Sequence, residues 1–309
     1  MRVAVTGAFG YSGRYITRRL LAAGDTVITL TNSPVRPNPF ADKVSVFPFN
    51  FDHPERLTQS LHGVDVLINT YWVRFDHRFF NHDQAVANTK VMFCAAHDAG
   101  VRRIVHLSIT NPDIHSALPY FRGKAELEAV LKTVGISYCI LRPTVLFGME
   151  DILINNIAWA LRRLPVFALF GSGEYKLQPI YVDDLAKAAV KRAASEDNEV
   201  IDAIGPETFT YRELVRMIAE ALGVRRLIIG TPPAFGYWGC RAVGWLMGDV
   251  VTTREEIAGL MQGLLSVDSP ALGGMKLTDW VSRNKHTLGR RYASELARRL
   301  DRSSEYRSE

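Results

Sequence analysis

The chain has 309 residues, 47% of them hydrophobic, which leaves room for a large core and a smaller second domain. The formal net charge of +5 is mild, and the basic residues are spread along the chain except near its C-terminus, so we expect no nucleic-acid binding. The three cysteines lie far apart and form no CxxC pair, which argues against a disulfide framework or a zinc site. We expect them to pack as small apolar residues. Their number and spacing fit a reducing, cytoplasmic compartment.

The first half of the chain alternates short apolar runs with amphipathic stretches, and it opens on an apolar strand that does not resemble a signal peptide. Strands are predicted over residues 2–6, 26–31, 44–49, 64–69, 103–108 and 137–141. Helices are predicted over residues 11–23, 54–61, 82–99 and 120–134. This alternation predicts an α/β fold of Rossmann type, a doubly wound parallel sheet with helices on both faces.

The pattern changes after about residue 149, and helices dominate from residue 205 onward. Further elements are predicted in chain order as a helix over 152–164, a strand over 177–182, a helix over 182–192 and a strand over 199–203 that closes the sheet. Thr210 and Glu213 have the spacing of a capping box that opens a helix over 211–222. We therefore predict a dinucleotide-binding domain of residues 1–149 plus about 174–204, and a smaller, mainly helical substrate domain of about 150–173 plus 205–309.

Two late segments bear on membranes and charged partners. The stretch PPAFGYWGCRAVGWLMG, residues 232–248, is shorter than the roughly 20 residues that span a bilayer, and Arg241 interrupts it. We expect a buried helix here and no transmembrane segment; contact with a membrane surface is the weaker alternative. Residues 281–309 contain eight Lys or Arg and four Asp or Glu. A solvated helix is the main expectation for this tail, and contact with nucleic acid or anionic lipid is the minority one.

The stretch VAVTGAFGYSGRYITRRL, residues 3–20, places three glycines between an apolar strand and an amphipathic helix. In this context one glycine permits a tight turn, one lets the backbone approach a pyrophosphate, and one lets helix and strand pack closely. The helix N-terminus then faces the phosphates with unpaired N–H groups. We predict nucleotide binding at Gly7, Gly10 and Gly13, together with the neighbouring Phe9 and Tyr11.

The end of the second strand indicates which nucleotide is preferred. The acidic residue that would bind a ribose 2′-hydroxyl is absent, and Thr31, Asn32 and Ser33 stand there instead. Arg36 or Arg14 is available to pair with a 2′-phosphate. We therefore predict NADP(H) in preference to NAD(H).

Tyr120 and Lys124 lie four residues apart at the start of a predicted helix, so their side chains share one face. An ammonium nearby favours the phenolate and lowers the pKa of a tyrosine from its usual value near 10. Such a tyrosine can exchange a proton with a substrate hydroxyl or carbonyl. Ser108 ends the preceding strand and is the candidate helping hydroxyl, with Thr110 as the alternative.

The chain resembles the short-chain dehydrogenase/reductase superfamily in its extended or atypical branch, most closely the members grouped with the NADPH-binding accessory subunit of respiratory complex I. The resemblance covers roughly residues 1–204, and a later segment, GPETFTYRELVRMIAEALG, is also similar. The matching segments are TGAFGYSGRYI, the turn at Asp52, GVDVLINTYW, AVANTKVMF, GVRRIVHLS, PYFRGKAELE, ILRPTVLFG and QPIYVDDLAKA.

This resemblance implies roles for individual residues. The three glycines would bind the pyrophosphate, Asp52 the adenine, Lys124 the nicotinamide ribose, and Tyr120 would be the acid/base. For Asp52, capping of the next helix is an equally good alternative. Asn69 at the end of the fourth strand and Pro143 complete the predicted cofactor-binding set. Asn88 corresponds to a structural or relay asparagine, and an ordinary buried asparagine is the alternative.

Three features remain open. The aromatic segment 71–75, with Arg74, suits a planar or anionic ligand, or else its Trp72 and Phe75 simply pack in the core. Twelve residues separate Ser108 from Tyr120, fewer than in active extended relatives, which puts the role of Ser108 in doubt. Asp183 and Asp184 precede a helix and are expected to cap it or to interact with its dipole, so we predict no metal.

The leading hypothesis is an NAD(P)-dependent oxidoreductase or epimerase-like enzyme in which Tyr120 and Lys124 carry the proton chemistry of an alcohol or carbonyl substrate. The alternative is a non-catalytic NAD(P)H-binding protein that senses redox state or stabilises a partner. The substrate of the enzyme and the oligomeric state are not indicated by the residues.

Overall fold

The computed structural model describes residues 1–301, and its chain groups into two compact units. The first unit comprises Met1–Pro143 and Val182–Ala203, and the second comprises Thr144–Tyr181 and Ile204–Asp301. The boundaries therefore fall at 143 and 182, where the sequence suggested 149 and about 174. That the first unit binds the nucleotide and the second the substrate stays a prediction. The end of the predicted tail helix, residues 302–309, lies outside the described residues.

The strands are β1 (Arg2–Thr6), β2 (Thr26–Thr31), β3 (Val44–Pro48), β4 (Val66–Asn69), β5 (Arg103–Leu107), β6 (Ser137–Pro143), β7 (Leu146–Phe147), β8 (Val166–Phe170), β9 (Lys176–Leu177), β10 (Ile180–Tyr181), β11 (Glu199–Ala203), β12 (Phe209–Thr210) and β13 (Leu227–Thr231). The helices are α1 (Tyr11–Ala22), α2 (Pro54–Leu61), α3 (His82–Asp98), α4 (Pro119–Thr133), α5 (Leu153–Arg163), α6 (Val182–Ala193), α7 (Tyr211–Leu222), α8 (Pro233–Met247), α9 (Arg254–Met261), α10 (Leu277–Asn284) and α11 (Glu295–Leu300).

The first unit is built on a seven-stranded sheet in the order β11-β6-β5-β4-β1-β2-β3, and every neighbouring pair is parallel. The chain winds outward from β1 in one direction and then from β4 in the other, so the order reverses between β1 and β4. Ligands of open α/β sheets bind beyond the carboxyl ends of the strands at such a reversal. The predicted Rossmann-type α/β fold is confirmed, including the closure of the sheet by β11.

The sheet strands are apolar along most of their length because helices cover both faces. On one face, residues of α2, α3 and α4 pack with strand residues in a single buried cluster that includes Leu57, Phe93, Leu131 and Ile140. Helices α1 and α6 pack against each other elsewhere in the unit. Buried strands of this composition hold the carboxyl ends of the sheet, and the loops that follow them, in fixed positions.

The predicted strand over 177–182 is wrong. The structure has two separate short strands here: β9 pairs antiparallel with β12, and β10 pairs parallel with β7. Pro179 lies between them and has no N–H to donate, so the segment cannot continue one regular ladder. The helix that follows, α6, begins at Val182 as predicted.

The second unit is mainly helical, with three short two-stranded sheets formed by β7 and β10, β9 and β12, and β8 and β13. Helices α5, α7 and α10 supply most of its buried cluster, which includes Ile154, Leu214 and Trp280. The predicted capping box is confirmed: Thr210 Oγ1 accepts from Glu213 N at 3.1 Å, and a Glu213 carboxylate oxygen accepts from Thr210 N at 2.8 Å.

Two expectations about burial are wrong. Helix α8 forms at the predicted place, but only Gly236 and Gly244 of it are buried, and five large apolar side chains are exposed. Cys94 is exposed and Cys240 is half-buried, whereas Cys139 is buried as expected. Within residues 1–301 no helix combines the length and apolarity needed to cross a membrane.

Candidate functional site

The loop after β1 brings backbone atoms close together at the edge of the sheet. Gly7 has a φ of +64°, a left-handed conformation that favours glycine, and its N–H donates to Leu30 O at 2.9 Å. Gly10 N donates to Gly7 O at 2.8 Å, which closes the turn. A Cβ atom on Gly13 would lie 2.2 Å from Gly7 O, so helix α1 can approach the loop this closely only without a side chain at position 13.

The start of α1 fits a bound pyrophosphate. Gly10 occupies the position before the helix and has no side chain with which to cap it. The first N–H groups of a helix have no partner within it and carry the positive end of the helix dipole. A cradle that a Cβ would fill, followed by an uncapped helix N-terminus, suits the phosphates of a dinucleotide.

Three other residues predicted to bind the nucleotide differ in their exposure to solvent. Phe9 is buried at 3% exposure and contacts the ring of Phe40, with a centroid distance of 6.5 Å. Tyr11 is half-buried and meets Tyr15 edge to face. Arg36 lies half-buried in the segment after β2. The backbone N–H of Arg36 donates to Ser33 O at 3.1 Å.

Two arginines and an aspartate complete this part of the site. Arg14, the alternative partner for a 2′-phosphate, is buried on α1 at 4% exposure, so Arg36 is the more accessible of the two. Asp52 is exposed in the turn after β3. Helix α2 begins at Pro54 with His53 before it and without a side-chain cap. The capping alternative for Asp52 therefore has no hydrogen bond in its support, and the adenine contact stays a prediction.

Asn69 is fully buried and joins three strands of the sheet. Its Oδ1 accepts from Thr6 Oγ1 at 3.2 Å and from Tyr71 N at 2.9 Å. Its Nδ2 lies 3.0 Å from His106 Nδ1, and because an amide nitrogen only donates, His106 accepts. These three hydrogen bonds hold the loop that follows β4 against β1 and β5. The role of Asn69 at the cofactor stays a prediction.

Tyr120 and Lys124 lie in the first turns of α4, and both contact one residue, Trp72, from the loop after β4. The ring of Tyr120 meets that of Trp72 edge to face with a centroid distance of 5.6 Å, and Lys124 Nζ lies 4.4 Å from a Trp72 ring centroid. Gly123 makes this packing possible, since a Cβ there would lie 2.9 Å from Trp72. Trp72 of the predicted aromatic segment therefore packs against the Tyr–Lys pair.

Lys124 is buried, and its ammonium group has few partners. Its Nζ donates to Leu107 O at 2.6 Å, at the end of β5. Burial lowers the pKa of Lys124 to about 7, opposed by the charge of Glu128. Burial and the charge of Lys124 also hold the pKa of His106 well below its usual range, so His106 is neutral. The charged and neutral forms of Lys124 are therefore close in free energy near neutral pH.

Ser108 is buried and its hydroxyl donates to Glu128 Oε1 at 2.6 Å. Glu128 also accepts two hydrogen bonds from Arg142, at 2.9 and 2.5 Å, and the Glu128 hydrogen bond raises the pKa of Arg142. A serine hydroxyl can donate one hydrogen bond, and here Glu128 accepts it. The structure thus brings Ser108 together with Glu128 and Arg142, and no hydrogen bond links it to Tyr120.

Two more predicted residues lie where β5 and β6 end. Thr110, the alternative hydroxyl, is fully buried, and its N–H donates to Pro143 O at 3.1 Å. Pro143 is the last residue of β6 and pairs with Ala203 of β11. Pro143 therefore ends a strand, and its contact with a cofactor stays a prediction.

His82, the first residue of α3, was not predicted from the sequence and lies beside Tyr120. Its ring meets those of Tyr120 and Trp72, each with a centroid distance of 5.8 Å. Its Nδ1 lies 2.6 Å from Asp76 Oδ1, and its buried Nε2 has no hydrogen-bond partner. Burial lowers the pKa of His82, partly offset by Asp76. No periodicity in the sequence singles out this pair, because a loop separates Asp76 from His82.

Two other residues singled out by sequence have structural partners. Asn88 Nδ2 donates to Tyr71 OH at 2.9 Å, and Gln84 Nε2 donates to Asn88 Oδ1 at 2.8 Å, so Asn88 fixes the loop after β4. Asp183 accepts two hydrogen bonds of 2.7 Å from Arg19, which ties α6 to α1. The first turn of α6 is therefore held by an ion pair in addition to the predicted dipole interaction. Among residues 1–301 no cluster of side chains has the composition of a metal site.

Solved structures share the architecture. The chain aligns with the triphenylmethane reductase of Citrobacter sp. at a TM-score of 0.77 and 18% identity, over 93% of this chain and 100% of that one. It also aligns with an NADPH-dependent quinone oxidoreductase from Escherichia coli at a TM-score of 0.74 and 23% identity, over 91% and 99% of the two chains. At these identities the likeness shows the fold.

A curated relative is named as a subunit of a respiratory enzyme. NADH dehydrogenase [ubiquinone] 1 alpha subcomplex subunit 9, mitochondrial, from Arabidopsis thaliana is 26% identical over 229 residues. That match covers 71% of this chain and 57% of the relative, so this chain spans little more than half of that protein. The relative's mitochondrial name neither tests nor supports the expected cytoplasmic location.

The sequence pattern of a known family covers most of the first unit and the segment that interrupts it. It matches residues 3–204, which include the glycine loop, the Tyr120–Lys124 pair and all seven strands of the sheet except Arg2 of β1. The resemblance inferred from sequence is confirmed, and the chain belongs to the NAD dependent epimerase/dehydratase family.

Proposed function

We propose that the chain binds NADP(H) in its first unit and acts as an oxidoreductase or epimerase-like enzyme on an alcohol or carbonyl substrate. The observation that carries this proposal is the placement of Tyr120 and Lys124 on one face of α4, against Trp72, in a unit whose first loop suits a pyrophosphate. When bound, the nicotinamide would supply or accept hydride.

The residues of the chain would handle binding and the proton. Gly7, Gly10 and Gly13 let the backbone approach the phosphates, and Arg36 would pair with the 2′-phosphate. The Tyr120 hydroxyl would give or take the substrate proton, and a charged Lys124 would stabilise the phenolate. Because the Lys124 pKa is about 7, this help is present below neutral pH and fades above it.

The nucleotide is tested by calorimetry with NADPH, NADP, NADH and NAD. We expect NADPH and NADP to bind more tightly than NADH and NAD. Arg36→Ala removes one charge-assisted contact and should weaken NADPH binding by about tenfold to a hundredfold, while NADH binding stays unchanged. Arg56→Ala, at an exposed position on α2, is the matched control. Equal affinity for NADPH and NADH would refute the preference.

Catalysis is tested by following NADPH oxidation with a panel of aldehydes, ketones and quinones. Tyr120→Phe should abolish turnover and leave the NADPH dissociation constant within about twofold, because only the hydroxyl is lost. Tyr138→Phe, at a half-buried tyrosine on β6, is the matched control. Turnover by Tyr120→Phe at the wild-type rate would remove Tyr120 from the mechanism.

One observation favours a second candidate, a non-catalytic NAD(P)H-binding protein. The Ser108 hydroxyl is directed to Glu128, and Tyr120 and Lys124 both pack on Trp72, so all three proposed catalytic groups have structural partners. Tight NADPH binding with no oxidation across the panel would favour this candidate over the enzyme.

A further inference from the structure

The second unit carries a continuous apolar surface that its own core does not use. Along the outer side of α8, Phe235, Trp238, Trp245 and Leu246 are 72%, 59%, 84% and 74% exposed. At 100° per residue these four positions fall within one side of the helix. Soluble monomers rarely expose large contiguous apolar patches, and such patches mark interaction sites.

The ribbon formed by β8 and β13 extends this surface. The strands pair in parallel, with Val166 opposite Leu227 and Ala168 opposite Ile229, and all four side chains are exposed on one face. Helix α8 covers the end of that same face, because Gly236 packs on the ring of Phe170. We call the exposed side of α8 and the open part of the ribbon the α8 surface.

The charged residues along α8 and the strand before it are of one sign. Between residues 225 and 248 the chain has three arginines and no aspartate or glutamate. Arg225 and Arg226 precede β13, and Arg162 and Arg163 precede β8. Because the strands are parallel, both pairs lie at the same end of the ribbon.

These arginines keep their charge unneutralised. Arg162 Nε donates to Leu288 O at 2.9 Å, Arg163 Nη1 to Gly289 O at 3.0 Å, and Arg226 Nε to Leu161 O at 2.7 Å. Within residues 1–301 no carboxylate forms an ion pair with them. Burial and the neighbouring cations Arg290 and Arg163 lower the pKa of Arg162, which shows how closely the positive charges are grouped.

We propose that the α8 surface binds the surface of an anionic lipid bilayer, with α8 lying in the interface and the arginines at the headgroups. Tryptophan and phenylalanine beside arginine are the residues that hold helices in a membrane interface. The occupant is a bilayer surface because its two chemistries, acyl chain and anionic headgroup, match the apolar face and the cationic end. Burial of Trp238 and Trp245 supplies the apolar part of the binding, and Arg225 part of the electrostatic attraction.

The test uses the full chain with phosphatidylcholine vesicles that contain or lack phosphatidylglycerol, at low and high salt. We expect wild-type protein to co-sediment with the anionic vesicles at low salt, to be released by salt, and to show a blue shift of tryptophan emission on binding. Trp238→Gln with Trp245→Gln should weaken vesicle binding by at least about tenfold and remove most of the blue shift.

Matched control variants distinguish vesicle binding through the α8 surface from nonspecific hydrophobic or electrostatic binding. Phe79→Ser removes a side chain that is 59% exposed in the first unit, and it should leave vesicle binding unchanged. Arg225→Glu should weaken binding by about tenfold, whereas Lys132→Glu, a charge reversal at an exposed site on α4, should not. Circular dichroism verifies that each variant is folded, and the NADPH affinity of each should match wild type.

Three results would overturn the proposal. Wild-type protein that stays in the supernatant with anionic vesicles at low salt does not bind lipid. Loss of binding in Phe79→Ser equal to that in the tryptophan variant would show that the α8 surface is not specific. If light scattering shows that the tryptophan variant converts a dimer to a monomer while vesicles bind neither form, the surface contacts a second copy of the chain.

Discussion

The closest backbone approach in the glycine loop yields a quantitative prediction for Gly13→Ala. The new Cβ would lie 2.2 Å from Gly7 O and 2.8 Å from Gly7 C. Both are backbone atoms, so no side chain can rotate away, and α1 must move from the loop by about 1 Å to restore an ordinary contact. Overpacking of this kind costs about 1–3 kcal/mol, against a helix-propensity gain from alanine of about 1 kcal/mol.

We therefore expect Gly13→Ala to lower the free energy of unfolding by up to about 2 kcal/mol, measured from the midpoint of urea denaturation. The same displacement moves the first N–H groups of α1 away from the phosphates. NADPH affinity, measured by calorimetry, should fall by about tenfold to a hundredfold, equivalent to losing one charge-assisted hydrogen bond.

A graded series separates this contact from the effect of alanine itself. A Cβ on Gly10 would lie 3.2 Å from Gly7 O, so Gly10→Ala should have a smaller effect than Gly13→Ala. Gly239→Ala, in α8 with open space around it, should be neutral or stabilise by up to about 1 kcal/mol. If Gly13→Ala keeps both the wild-type midpoint and the wild-type NADPH affinity, the close approach is not what the loop requires.

Three further predictions concern charged groups. Between about pH 7 and pH 10 the unfolded state holds the Lys124 proton and the folded state does not. The free energy of unfolding should therefore rise with pH by up to about 1.4 kcal/mol per pH unit. In urea titrations at several pH values, Lys124→Met should flatten that slope. Glu128→Gln leaves Arg142 without its carboxylate, and a loss of about 3 kcal/mol in urea denaturation is expected; an unchanged midpoint would show that the ion pair adds nothing. Arg19→Ala breaks the pair with Asp183, whose two side chains are 35% and 32% exposed, so solvent screens their charges and the loss in urea denaturation should not exceed about 1 kcal/mol. A larger loss would show that solvent does not screen this pair.

Periodicity was enough to predict the order of the strands and helices up to residue 143. Strands β1 and β2 and helix α2 have the predicted bounds, because apolar runs bounded by glycine, proline or a loop are unambiguous when both faces of a sheet are covered. The spacing of Thr210 and Glu213 was equally informative, since a capping box depends on adjacent residues only.

What the sequence did not reveal depends on contacts between distant residues. The hydrogen bond that directs Ser108 to Glu128 joins positions 20 residues apart, and the approach of His82 to Tyr120 joins two different helices. The burial of α8 was predicted from its composition, but composition does not tell which side of an apolar helix meets a core. For this reason α8 was expected inside and lies largely exposed.

The interrupted first unit has a consequence for biosynthesis. When Pro143 leaves the ribosome, six strands of the sheet have been made, but β11 and α6 have not. The edge of β6 then lacks its partner until residue 203 has been translated, after the whole of 144–181. Unpaired strand edges recruit other chains, so this interval is the stage of synthesis at which the nascent protein most needs a chaperone, and a fragment truncated at residue 143 should aggregate.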